Sequence, residues 1–118
     1  MKNEGEAKLV RIFVGSSDKI NNVPLYEEIV FAAKRSGLAG ATVLKGVMGF
    51  GANSIIHSAK ILAISEDLPV VIEIVDDAEK IDQFLPEVEK YFNNSKYGVL
   101  ITTEKAMVIR YAAKKHII

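Results

Sequence analysis

Gly46, Gly49 and Gly51 crowd into the run Gly46-Val47-Met48-Gly49-Phe50-Gly51-Ala52-Asn53-Ser54. Glycine lets a backbone come close to a ligand and adopt positive φ. Asn53 or Ser54 could cap a helical turn over Ile55 to Lys60, and a helix start offers free N–H groups to an anion. The spacing is Gly-x-x-Gly-x-Gly. It lacks the Gly-Lys-Ser/Thr ending of a P-loop and differs from the dinucleotide fingerprint. Two readings follow: an anion cradle, or a glycine bend that lets a strand end turn. The connection from Phe50 to Glu66, roughly 17 residues, is long for a hairpin, and ordered loops of that length are more often functional.

The remaining chemistry-bearing residues are sparse. His57 and His116 stand apart without a third ligand at metal spacing, and there is no cysteine. No metal site is therefore expected, and no Ser-His-Asp or Cys-His set can be assembled. The paired acids Glu27-Glu28, Glu66-Asp67 and Asp76-Asp77 fall at turns or helix starts, where the helix dipole and solvation account for them. No catalytic residue is assigned, and neither a hydrolase nor a redox enzyme is supported.

The 118 residues carry 15 basic and 15 acidic side chains, and 49% are hydrophobic. Such a chain is too apolar for disorder and has no basic excess for general nucleic-acid binding. It is expected to be one domain over 1–118, with residues 1–6 disordered. The N-terminus has no apolar signal core and no stretch is long enough for a membrane span, so a cytoplasmic address is expected. Charge is nonetheless segregated. Glu66 to Glu89 holds nine acids and one base, Lys80, and only bases follow Glu104: Lys105, Arg110, Lys114 and Lys115. The blocks read as a solvated acidic helix and a basic tail, or the tail supplies cations to a bound anion or a neighbouring subunit.

These residues must be positioned by the elements between them. Apolar alternation predicts a first strand over Lys8 to Gly15. Pro24 opens a helix whose buried stripe is Leu25, Ile29, Ala32 and Ala33, and Gly37 stops it. A second strand spans Ala41 to about Met48, and a third Pro69 to Val75. A second helix, capped by Asp76 or Asp77, presents Ile81, Phe84, Leu85 and Val88, with a kink or break expected at Pro86. A fourth strand is expected over Tyr97 to Thr102, then helix over 104–108 and an extended segment from Val108 to Tyr111.

This order suggests an α+β, ferredoxin-like βαββαβ sandwich with helices on one face of a four-stranded antiparallel sheet. The other face would carry Leu9, Phe13, Val43, Val47, Val71 and Val75. Leaving it in water costs about 25 cal/mol per Å² of apolar surface, so further copies of the chain are expected to cover it. Arg11, Glu73 and Lys45 sit at the centre of the three open-face patterns. With the third strand between the first and second they could form a row with the acid between two bases; a register off by one on any strand would remove its charge from the row.

Lys45-Gly46 and Met48-Gly49-Phe50-Gly51 resemble the Lys-Gly-Phe-Gly that ends the second strand of PII nitrogen-regulatory signalling proteins. Gly40-Ala41-Thr42-Val43, Val71-Ile72-Glu73-Ile74-Val75 and Val108-Ile109-Arg110-Tyr111 resemble other segments of those proteins. From about Lys8 to Arg110 the chain is similar to a small, uncharacterised bacterial and archaeal branch of PII-like proteins. The most specific runs are Leu38 to Val43, Gly49-Phe50-Gly51-Ala52 and Ser65 to Glu73. The resemblance implies a homotrimer with open sheet faces around a threefold axis. It implies an adenine nucleotide, ADP or ATP, in clefts between subunits, with no cofactor required. It also implies that the loop after the second strand contacts a protein partner such as a transporter or enzyme. Carried over by position, Thr42, Gly49, Phe50, Gly51 and Asn53 would approach the nucleotide, and Arg110, with Lys114 and Lys115, would hold phosphates.

Departures from the PII pattern are specific. Ala52-Asn53 stands where those proteins have Arg-Gln, the loop has no tyrosine, Asn94 to Gly98 replaces a Gly-Asp-Gly-Lys run, and Ala112 stands where a second arginine would be. The leading expectation is a regulatory, signal-transducing trimer that binds an adenine nucleotide or related anion. The alternative is a structural or adaptor trimer without a ligand. A metal-tolerance role, as in another trimeric relative of similar fold, is disfavoured by two histidines and no cysteine.

Overall fold

A computed structural model of the chain describes residues 1, 5–51, 57–58, 67–93 and 97–115. In chain order the elements are β1 (Gly5–Gly15), β2 (Lys19–Ile20), β3 (Val23–Pro24), α1 (Leu25–Arg35), β4 (Thr42–Lys45), β5 (Met48–Gly49), β6 (His57–Ser58), β7 (Pro69–Asp76), α2 (Ala78–Lys90) and β8 (Leu100–Val108). β4, β7, β1 and β8 form one sheet in that order, antiparallel throughout. This is the expected ferredoxin-like arrangement. β2–β3 and β5–β6 are separate short pairs.

The core lies between one face of the sheet and both helices. Val10, Ile12 and Val14 of β1 and Val70, Ile72 and Ile74 of β7 point into it, against Leu25, Ile29, Ala32 and Ala33 of α1 and Ile81, Phe84 and Val88 of α2. α1 begins directly after Pro24, with Glu27 and Glu28 in its first turn and Lys34 and Arg35 in its last, as the helix dipole favours. Its end is a Schellman turn. Gly37 takes φ +78°, its N–H reaches the Lys34 carbonyl, and the Leu38 N–H reaches that of Ala33; positive φ is cheap only for glycine. α2 begins after Asp77, which makes no side-chain capping bond. Asp76 instead accepts the Asp77 N–H at 2.7 Å. Pro86 lies inside α2 without breaking it, because Phe84 and Val88 anchor the helix on both sides of the proline.

Three sequence expectations are corrected. β1 starts at Gly5 rather than Lys8, and Gly5 and Glu6, expected to be disordered, pair with Val108 and Met107. Residues 104–108, expected to be helical, continue β8 to Val108, since β1 offers a full strand of partners. The helical turn expected over Ile55–Lys60 is interrupted by β6 at His57–Ser58; the rest of that turn lies outside the described residues.

β4 also corrects the open face. Thr42 pairs with Glu73, Val43 with Ile72, Leu44 with Val71 and Lys45 with Val70. Val43 and Lys45 therefore share the helix side with Ile72 and Val70, and Leu44, 51% exposed, takes the open side. Val47 lies beyond the strand, exposed. A one-residue offset exchanges the two faces of a strand. The open face thus carries a polar row across all four strands, Thr42–Glu73–Arg11–Thr102. Beside it runs an apolar row, Leu44–Val71–Phe13–Leu100.

Candidate functional site

The glycine run leaves the sheet at the start of β7. The Gly46 N–H donates to the Pro69 carbonyl at 2.7 Å. A Cβ on Gly46 would sit 2.8 Å from Pro69 Cγ, and one on Gly49 3.1 Å from it. Both positions are therefore closed to side chains unless the proline ring moves. Gly51 is different: nothing lies within 4 Å of where its Cβ would be. Positive φ is not the reason for any of the three, since the described glycines that use it are Gly5 and Gly37. A structural bend explains Gly46 and Gly49 but not Gly51. Met48 and Gly49 pair with Ser58 and His57, and Val47, Met48 and Phe50 (69% exposed) leave this corner apolar.

The chain returns to the same corner at Asp67. The Ser16 N–H donates to the Leu68 carbonyl at 2.8 Å, and the Leu68 N–H to Ser16 Oγ at 2.9 Å. The Ser17 N–H donates to Asp67 Oδ1 at 3.0 Å. The Asp67 carboxylate occupies the space a Cβ on Gly15 would need. Asp18 lies buried beside it and accepts the Gly15 N–H at 2.9 Å. Burial pushes the Asp18 carboxyl above its ordinary value; the Gly15 N–H opposes this and the charge of Asp67 adds to it. The sequence reading passed over this clamp. Its signal was Gly15-Ser16-Ser17-Asp18, an Asx-type turn sequence.

The basic tail lies at the other end of β7. The Tyr111 hydroxyl donates to the Ala39 carbonyl at 3.4 Å, and the Ala39 N–H donates to Asp76 Oδ2 at 2.9 Å. Arg110 and Lys114 are exposed in the segment after β8. Pro69 and Asp76 are the two ends of β7, about 23 Å apart at the rise of a strand residue. One chain therefore does not bring the Gly49–Gly51 corner together with Arg110, which neighbours Tyr111. Thr42 lies between them, exposed and opposite Glu73. Asn53 and His116 lie outside the described residues.

At the centre of the open face Arg11 Nε donates to Glu73 Oε2 at 2.9 Å, and Nη1 donates to Glu104. The row expected from sequence holds for Arg11 and Glu73 but not for Lys45. Its third member is an acid from β8, and the order is acid, base, acid. Glu73 first and Glu104 second raise the Arg11 pKa above its ordinary value. No cluster of three potential metal ligands occurs among the described residues. A shallow groove at the end of α2, lined by Glu89, Phe92, Asn93, Val99 and Ile101, includes none of the site residues expected from sequence.

Residues 7–108 match the model of the DUF190 family, Uncharacterized ACR. The chain belongs to the DUF190 family. Among relatives, a UPF0166 protein of Aquifex aeolicus is 38% identical over 102 residues, covering 86% of this chain and 92% of the relative. The UPF0166 protein MJ1524 of Methanocaldococcus jannaschii is 35% identical over 99 residues, covering 84% and 89%. Among solved structures, this DUF190 member resembles TTHA0516 of Thermus thermophilus, described as a PII-like signalling protein. The TM-score is 0.64 at 21% identity, over 91% of this chain and 93% of the other. It also resembles CPII of Thiomonas intermedia, a nitrogen regulatory PII-like protein solved with ADP, AMP and bicarbonate. There the TM-score is 0.62 at 15% identity, over 90% and 92%. The PII-like fold expected from sequence is thus the fold of this DUF190 chain. No described helix is long and apolar enough to cross a membrane.

Proposed function

We propose that this DUF190 protein is a PII-like regulatory subunit that assembles as a homotrimer and binds an adenine nucleotide, ADP or ATP, or a related anion between subunits. One subunit supplies the Gly49–Phe50–Gly51 end of its sheet, with Asn53. The next supplies Thr42, Arg110 and Lys114. The connection after β4 presents the bound state to a protein partner such as a transporter or enzyme, in the cytoplasm. No bond-making step is assigned. Signalling follows from a population shift, in which the ligand favours one arrangement of the glycine corner.

One observation supports this reading: Gly49 packs at the Pro69 end of β7 and Tyr111, next to Arg110, at the Asp76 end, so residues from the two ends would meet only between two chains. The uncovered apolar row Leu44–Val71–Phe13–Leu100 supplies the reason for chains to meet. The likeness in fold to CPII, solved with ADP and AMP, supports the choice of ligand.

The adaptor reading, a trimer without ligand, keeps one observation in its favour: packing on Pro69 accounts for Gly46 and Gly49 with no nucleotide. Calorimetric titration with ADP, ATP and AMP, alongside sedimentation, separates the two. Heat with a nucleotide and a particle of three times the 13.0 kDa chain is the expected result. A trimer without heat from any of the three selects the adaptor, and a stable monomer rejects both.

A further inference from the structure

We infer that Tyr111 is a positioning residue, which holds the segment after β8 across the end of the sheet and so fixes where Arg110 points. The inference rests on the nucleotide reading above and adds how the site's cation is set in place.

β8 ends at Val108, paired with Gly5 on the outer edge of the sheet. Beyond that pairing no regular ladder holds the chain, and Ile109 and Arg110 are exposed. Yet the Tyr111 hydroxyl bonds to Ala39, whose own N–H is tied to the end of β7. β7 is two strands in from the β8 edge, about 10 Å at the usual strand spacing. Three residues beyond Val108, the Tyr111 side chain therefore reaches across the sheet end, and Arg110 is the residue next to that tether.

The acceptor is a rigid one. Ala39 follows the Schellman turn of α1, and the Gly37 carbonyl there also takes the Lys80 ammonium at 3.3 Å. The Ala39 N–H ends on Asp76, which is 0% exposed and accepts the Asp77 N–H as well. The Met1 ammonium lies 3.6 Å from the same carboxylate. The carbonyl that receives Tyr111 is thus fixed by a buried carboxylate and a helix end. Tyr111 itself is 39% exposed, so its ring contributes little to the core and its hydroxyl is aimed at a built acceptor. A free tail would lose backbone freedom when its arginine binds phosphate; one tethered at Tyr111 has lost part of it already.

The test uses the full chain, with ADP as probe, in the parent, Tyr111→Phe, Arg110→Ala and the double variant. Removing one neutral hydrogen bond should weaken ADP binding by between about twofold and tenfold in Tyr111→Phe. It should weaken it no further in the Arg110→Ala background, because the tyrosine acts through the arginine. Without nucleotide, amide exchange at residues 109–112 should quicken in Tyr111→Phe while the protection of β1 and β7 stays as in the parent. Parent-like affinity in Tyr111→Phe, with a loss in Arg110→Ala, would overturn the inference and leave the nucleotide reading standing. An equal loss in both backgrounds would overturn it too, since the tyrosine would then act independently of Arg110. Absence of ADP binding by the parent would remove the nucleotide reading and this inference together.

Discussion

Arg11 and Glu73 face each other from adjacent strands on the uncovered side of the sheet, Nε to Oε2 at 2.9 Å. Glu104 takes the other end of the guanidinium, so each chain brings one base and two acids to the middle of a face otherwise marked by Leu44, Val71, Phe13 and Leu100. In the free chain such an exposed group is worth little. If another copy covers the face, as proposed, an unpaired carboxylate there becomes costly.

Arg11→Ala should therefore weaken self-association far more than it lowers the stability of the subunit. A loss of at least about tenfold in the assembly constant is expected by sedimentation. The triple change with Glu73→Gln and Glu104→Gln should recover most of it. A variant that assembles like the parent would show that this face is not where chains meet.

The glycines separate by their surroundings. Gly46→Ala drives a Cβ into the Pro69 ring and should cost about 1–3 kcal/mol of stability. Gly51→Ala meets nothing and should unfold at the parent's temperature. If Gly51 serves the ligand, its substitution to valine lowers nucleotide affinity without that loss of stability. Thermal unfolding and calorimetry on the same samples read both quantities.

Asp18 gives a pH dependence with a definite sign. Burial raises its folded pKa above the ordinary 3.8, so the folded state holds this proton more tightly than the unfolded chain does. The stabilisation from the protonated carboxyl is complete below 3.8 and is lost as pH rises through the folded value. Asp18→Asn keeps an acceptor for the Gly15 N–H and cannot ionise. It should raise the unfolding temperature at neutral pH and remove this slope. An unchanged profile would show that the Asp18 charge is compensated in the folded state.

Pro86 interrupts the hydrogen bonding of α2 while the helix continues around it. Its ring is exposed, so Pro86→Ala restores an N–H without emptying the core. Removing a helix-interior proline is expected to stabilise by about 1–3 kcal/mol, less what the freed unfolded chain regains. Chemical denaturation measures the difference.

How far the sequence was legible depended on contrast within each strand. In β7 the order Val71, Glu73, Val75 against Val70, Ile72, Ile74 is apolar on both sides, but the single acid marks the face turned away from the helices. In β1 Arg11 does the same. β4 has no such marker, because Val43 and Leu44 are both apolar and either could face the helices. Its register is set by pairing Thr42 with Glu73, a contact no local pattern contains. The 104–108 segment, Glu-Lys-Ala-Met-Val, has good helix formers and is overruled by the open edge of β1. Of the site, the glycine corner was visible as composition. The clamp of Asp67 and Leu68 on Ser16 and Ser17, and the bond from Tyr111 to Ala39, link residues far apart in the chain and carried little signal.

Gly46 and Gly49 rest on Pro69, and Asp67 and Leu68 are stapled beside it, so the stretch that departs after Gly49 and the stretch that comes home at Asp67 share one doorway. With both jambs fixed to the framework, lengthening the intervening segment costs little; each doubling of a flexible closure adds only about 0.6 kcal/mol. The sheet can therefore host inserts of quite different size and wording at that doorway.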